Sequence, residues 1–428
     1  MTKKKVDDLF FLLFCEKNSD GTKHLRLKGK ELFQRFGRRL TQDDMYPLAD
    51  FLKKHEEIIS LDLCYNNIGD EGITILAKEY FAHPKGANLQ YLNLLHCDLG
   101  PNGLAYLSSL KHLKLKMIRL LGNKLGPEGA RYIGRLIENF RTLETLDIGE
   151  TDLTLESVEC LLMVIEKSLL KSLNMSRIVP NSYYSKYDDS TLADDLGILL
   201  KLNTSLEVLR AQKCEFDGHD MEMLLGGLRV HTNLSLLDLA ANRIGNHGVE
   251  ILTQWLRTRP KLTALRIASN GITTRGAKAL SIHLPFSRIR LLDLQNNKIG
   301  DQGLADLFDS LKKSTQMRVL YIWGNDLGNV ALAKLERCFD SGCLVPENVD
   351  VKIYYVDGVR CAAFNPINQL ALKKYSIQLY GVAPELKIIR NKKAHPDALP
   401  RALLNFEFID RYPPVDESLG LKVKNKVG

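Results

Sequence analysis

The chain is poor in the features that mark several protein classes. Aromatic residues make up 7% of its 428 residues, with two tryptophans, and there are 14 prolines. The eight cysteines (Cys15, Cys64, Cys97, Cys160, Cys214, Cys338, Cys343 and Cys361) lie far apart with no Cys-x-x-Cys pair. Neither a zinc site nor a secreted disulfide framework is written there, and reduced thiols in the cytoplasm are the expectation. The one close pair, Cys338 and Cys343, reads as a helix-end coincidence rather than a metal or redox site. Long apolar runs are also missing. Leu9 to Cys15 is seven residues long and is preceded by Asp7 and Asp8, which argues for a cap element and against a signal peptide. No run approaches the ~20 apolar residues that a spanning helix requires, so no membrane partner is expected. Charge of one sign is lacking as well: 59 basic and 51 acidic residues leave +8, too thin for a whole-chain polyelectrolyte. The hydrophobic share of 45% is ample for a sizeable core.

What is present is a repeat. Leu61-Asp62-Leu63-Cys64-Tyr65-Asn66-Asn67-Ile68-Gly69 recurs from Leu237 to Gly245 and from Leu292 to Gly300. The asparagine-equivalent position steps through Asn66, Cys97, Asn123, Thr151, Ile178, Cys214, Asn242, Asn270, Asn297 and Asn325, marking ten repeats with the fifth degenerate. Most steps are 26 to 28 residues; that from Ile178 to Cys214 is 36. In each unit two leucines at period two point inward from a short strand. The Asn or Cys that follows turns inward to satisfy turn backbone groups that no neighbouring strand reaches. The next Ile refills the core, and a helix returns to the following strand. One unit cannot cover its own apolar face, whereas stacked units can.

The spacing and the stretches Asn66 to Gly72 and Asn297 to Gly303 resemble the ribonuclease-inhibitor type of leucine-rich repeat. The resemblance implies an α/β fold: a right-handed horseshoe solenoid with a concave parallel sheet and convex helices over residues 58–341. Residues 1–57 read as an irregular N-terminal capping region, with Leu40, Asp44 and Leu48 one period before Ile68, Gly72 and Leu76. Residues 342–428 read as a C-terminal cap and basic extension, in which Val351 to Val356 alternates weakly as a last strand closing the sheet.

No catalytic motif is present: there is no nucleophile elbow, phosphate-cradling loop or His-Glu-x-x-His. No cofactor, metal or small-molecule substrate is expected. Asn123 to Tyr132 is similar to a motif of the Ran GTPase-activating proteins, built on the same repeat class, and that resemblance makes Arg131 the one catalytic candidate. An arginine there could stabilise phosphoryl-transfer charge. Gly276-Ala277-Lys278 repeats the same local pattern, and an ordinary solvated helix residue explains Arg131 better.

Strand alternation assigns the concave face. Its central column reads Asp62, Asn93, Arg119, Asp147, Asn174, Arg210, Asp238, Arg266, Asp293 and Tyr321. Both signs are mixed, which argues against nucleic acid, since phosphate neutralisation needs clustered cations. Two apolar groups fall on this face: Tyr91, Leu95, Met117 and Leu121, and Leu291, Val319, Tyr321 and Trp323. Exposed aromatics beside aliphatics suit protein docking, with the chain's own termini as the competing cover. Trp255 reads as helix core. The long fifth step holds a Tyr-rich insertion, with Tyr183, Tyr184 and Tyr187 as further protein-binding candidates. The extension carries 11 basic against 6 acidic residues from Cys361 onward, and its Lys387, Arg390, Lys392 and Lys393 could meet an acidic partner. The expectation is a non-enzymatic cytoplasmic scaffold for one or more proteins. A structural subunit of a ciliary axoneme is a further alternative, and the nucleus is an alternative location.

Overall fold

Each repeat contributes a strand only three to five residues long, because the turn after it bends the chain away from the sheet. The computed structural model describes residues 6–18, 20–178, 189–313 and 316–365. Its main sheet has twelve strands in sequence order. They are β1 (Cys15–Lys17), β2 (Lys23–Arg26), β3 (Ile58–Asp62), β4 (Tyr91–Asn93), β5 (Met117–Arg119), β6 (Thr145–Asp147), β7 (Ser172–Asn174), β8 (Val208–Arg210), β9 (Leu236–Asp238), β10 (Ala264–Arg266), β11 (Leu291–Asp293) and β12 (Val319–Tyr321). From β2 onward every pairing is parallel, while β1 lies antiparallel on β2. The register keeps equivalent leucines abreast, as in Leu237, Leu265, Leu292 and Leu320. These inward residues pack with the helices into one continuous core. Trp255, near the end of helix Gly245–Leu256, is part of it.

The ten turns share one backbone device. The residue before each asparagine-equivalent position has a positive φ: Tyr65, His96, Gly122, Glu150, Arg177, Lys213, Ala241, Ser269, Asn296 and Gly324. Left-handed backbone favours glycine, yet only two of the ten are glycine, and in every turn but that before Ile178 the side chain of the next residue donates to a turn carbonyl and supports the bend. Asn297 shows how. Its Nδ2 donates to the carbonyls of Ile267 and Leu294 at 3.1 and 2.9 Å, and its Oδ1 accepts from the N–H groups of Asn270 and Ile272 at 2.9 and 3.1 Å. Asn66, Asn123 and Asn242 make the same two donations to the preceding turn and their own. Where cysteine replaces asparagine, the thiol donates instead, Cys97 to Leu63 O at 3.1 Å and Cys214 to Met175 O at 3.5 Å. A column of side chains thus runs through the stack and closes the backbone hydrogen bonds that the sheet leaves open.

The two ends differ from the repeats. At the first, Leu40 and Leu48 are buried as the backward extension requires, and Thr41 with Asp44 forms a capping box before helix Met45–Lys54. At the second, the expectation that Val351 to Val356 closes the sheet is corrected. That segment is β13 (Val351–Val356), which pairs with β14 (Val359–Phe364) as a separate antiparallel hairpin. Among the described residues, a single bridge from Leu320 to Val349 continues the main sheet. Beyond it, the carboxylate of Asp350 accepts from the N–H groups of Ile322 and Trp323 at 2.8 and 3.1 Å, replacing the next strand with one side chain.

Candidate functional site

The concave column is built by the strand register, which sets one outward residue from each strand beside the next. Asp62, Asp147, Asp238 and Asp293 occupy it at 0% exposure, so they are not open to a partner. Two kinds of bond explain why they are there. Each Oδ1 accepts from the backbone N–H two residues on, that of Cys64, Gly149, Ala240 or Gln295, which fixes the chain as it leaves the strand. The neighbouring strands supply the rest. Arg266 reaches Asp238 at 2.6 Å and Asp293 at 3.2 Å, and Arg119 reaches Asp147 at 3.0 Å. Asn93 donates to Asp62 and Asn174 to Asp147, both at 2.8 Å.

The charges respond to this setting. Burial raises the carboxyls of Asp62 and Asp293 above their ordinary values. For Arg266, burial alone would lower the guanidinium, but the attraction of Asp238 and Asp293 more than offsets it, and the net shift is upward. Arg210 is pushed down to about 10 by burial, despite the attraction of Asp238 and Asp147. Among the described residues, no group of three or more His, Cys, Asp or Glu is placed to hold a metal ion.

Four stretches, residues 58–77, 87–108, 259–281 and 289–308, match the leucine-rich repeat family model. The fold is a leucine-rich-repeat solenoid. Among curated proteins, the chain is similar to leucine-rich repeat-containing protein 34. The human protein is 31% identical over 93 residues, which is 22% of this chain and 20% of the relative. The rat protein is 35% identical over 69 residues, 16% of this chain and 17% of the relative. The matches thus span about a fifth of the length of these relatives. Among solved structures, a chain of the yeast Rad7 and Elc1 complex shares 17% identity with a TM-score of 0.40, covering 70% of this chain and 82% of that one. An internalin from Listeria monocytogenes shares 19% with a TM-score of 0.37, covering 72% and 83%. No helix among the described residues is long and apolar enough to cross a membrane.

On the leucine-rich-repeat solenoid the two expected apolar groups sit where alternation puts them. Tyr91 lies abreast of Met117, and Leu291 abreast of Val319. Their accessibility is the correction. Leu291, Val319 and Tyr321 are 0 to 1% exposed and form a second apolar cluster with Leu236 and Ala264, separate from the main core. Tyr91, Leu95 and Met117 are buried too. Close lateral packing at the strand spacing accounts for part of this, since each side chain has neighbours on both flanks. Leu121 and Trp323 are half-buried, and the Trp323 indole meets the Phe364 ring at 5.5 Å. Arg131 is exposed on helix Gly126–Asn139. Tyr183, Tyr184 and Tyr187, and Lys387, Arg390, Lys392 and Lys393, lie outside the described residues.

Proposed function

We propose that this chain is a non-enzymatic scaffold that holds one or more proteins through its concave face and its C-terminal extension. The supporting observation is the concave column itself. Ion pairs, turn caps and the asparagine ladder hold its residues in fixed positions along the sheet, so docking costs little ordering entropy. Mixed charge along the column suits a protein partner better than a polyanion. Of the two expected apolar groups, Leu121 and Trp323 keep open surface and are the contacts assigned to the partner, with buried Tyr91, Leu95, Met117, Leu291, Val319 and Tyr321 as their support. The cytoplasm is the compartment proposed, because Cys97 and Cys214 serve the ladder as thiols, a role that disulfide formation would end.

The test starts from a protein captured by the wild-type chain and reconstituted with it as a purified pair. Leu121→Glu and Trp323→Glu, each checked for native circular dichroism, are expected to weaken that pair at least about ten-fold, the loss of one or two desolvated contacts. Unchanged affinity in both folded variants refutes the assignment of this face.

A further inference from the structure

The buried state of the concave face calls for a cover. A single-layer sheet has one side on its helices and one side open, and lateral neighbours about 5 Å away cannot seal a tyrosine that points off the open side. Yet Leu236, Leu291, Val319 and Tyr321 are at most 1% exposed. Among the described elements, the strands of the main sheet contact their neighbours in the sheet, helices contact helices, and β14 packs on helix Asn329–Asp340.

The described chain ends beside it. The Asn365 N–H donates to Asp350 O at 2.9 Å, and the carboxylate of the same aspartate binds the Trp323 N–H and the Gln295 side chain. Phe364, one residue earlier, packs on Trp323. The chain therefore leaves β14 at the rim of the concave face, next to the apolar cluster. Sixty-three residues, 366–428, come after it. Fully extended they reach about 200 Å, against about 50 Å across twelve strands, so a fraction of the segment is long enough.

Charge is complementary as well. From Asp62 to Asp350 the column carries five aspartates (Asp62, Asp147, Asp238, Asp293 and Asp350) to three arginines (Arg119, Arg210 and Arg266). Among the described residues the Oδ2 of buried Asp62 has no hydrogen-bond partner, and Lys28 is its nearest cation at 4.0 Å. Residues 366–428 carry 11 basic and 6 acidic side chains. We propose that residues 366–428 of the same chain occupy the concave face in the isolated protein, covering the Leu291, Val319 and Tyr321 cluster. A partner that docks on this face must then displace the chain's own C-terminal segment. The occupancy is a property of the isolated chain, so it stands or fails separately from the partner reading.

The test uses the full chain with a photo-crosslinking residue on the face. Tyr321→p-benzoylphenylalanine, irradiated as a dilute monomer, is expected to give intramolecular adducts to peptides from 366–428, independent of protein concentration. Ile282→p-benzoylphenylalanine, on the exposed side of helix Thr274–His283, is expected to give none. Val208→p-benzoylphenylalanine, at the half-buried margin of the same cluster, replaces the first probe if that variant loses native circular dichroism. Adducts only to a second copy, adducts to any other segment, or no adduct at a folded concave position would each overturn the proposal.

Discussion

Removing one rung of the asparagine ladder is the sharpest test of what holds the solenoid together. In Asn297→Ala, two carbonyls (Ile267 and Leu294) and two N–H groups (Asn270 and Ile272) lose their side-chain partner at once. A net hydrogen bond contributes about 1 kcal/mol, and a buried group left unpaired costs about 1–3 kcal/mol. With some relaxation of the turn, the four losses together come to about 4 kcal/mol. Asn297→Cys restores one donor, as Cys97 and Cys214 do in their own repeats, and should recover about 1 kcal/mol of that loss. Urea unfolding followed by circular dichroism measures both. The reasoning fails if Asn297→Ala shifts stability by less than about 1 kcal/mol, or if the cysteine variant is no better than alanine.

Three further outcomes rest on the same geometry. His24 is fully buried, and burial, helped by Arg26 and Lys28, pushes its pKa down to about 3, so the folded chain excludes a proton that the unfolded chain takes up near pH 6.5. Stability should therefore fall as pH drops from 6.5 towards 3, by about 2 kcal/mol at pH 5, and His24→Gln should abolish that slope in urea midpoints measured at pH 7 and 5. Arg266→Met leaves Asp238 and Asp293 without their shared cation and should cost about 3–5 kcal/mol, whereas Arg275→Ala, which breaks only an exposed pair with Glu250, should leave the midpoint unchanged. A Cβ on Gly227 would meet the Gly197 carbonyl oxygen at 2.1 Å, where helices Asp189–Leu202 and Asp220–Leu228 touch, while one on Gly226 meets nothing within 4 Å. Gly227→Ala should thus lower the thermal midpoint, and Gly226→Ala should hold it or raise it, the stability gain from helix propensity being up to about 1 kcal/mol.

The stacking itself was legible because it is periodic. Leucine pairs at period two and a polar residue at a fixed offset describe a strand and its turn, and the ten positions from Asn66 to Asn325 follow ten strands, β3 to β12. The inward role of Asn and Cys could be argued from backbone satisfaction alone. The aspartates of Leu-Asp-Leu were harder, because their value depends on partners about 28 residues away. The column already set Arg266 between Asp238 and Asp293, but that it bonds both and that both are buried is visible only in the structure. One signal was available: acidic and basic residues alternate along the column, which a random solvated face has no reason to do. The left-handed residue of each turn left no trace, since eight of the ten are not glycine and the strain is carried by the bonds of the residue after it. Accessibility of the apolar groups was misjudged because alternation gives the direction of a side chain and says nothing about what lies over it. The misassigned end, Val351 to Val356, alternates as a strand should and is one, but pairs with its own successor instead of β12.

The carboxylate of Asp350 has a consequence for how copies of the chain can meet edge to edge. A ribbon of parallel strands is open at both tips, and an identical neighbour could in principle prolong it without limit. Here the last strand meets an acid group that takes up the Ile322 and Trp323 amide protons, which removes two donors that a further strand would need. Asp350→Ala would uncover those amides, and concentration-dependent association, followed by light scattering, is the expected outcome, with unchanged scattering as the result that refutes it.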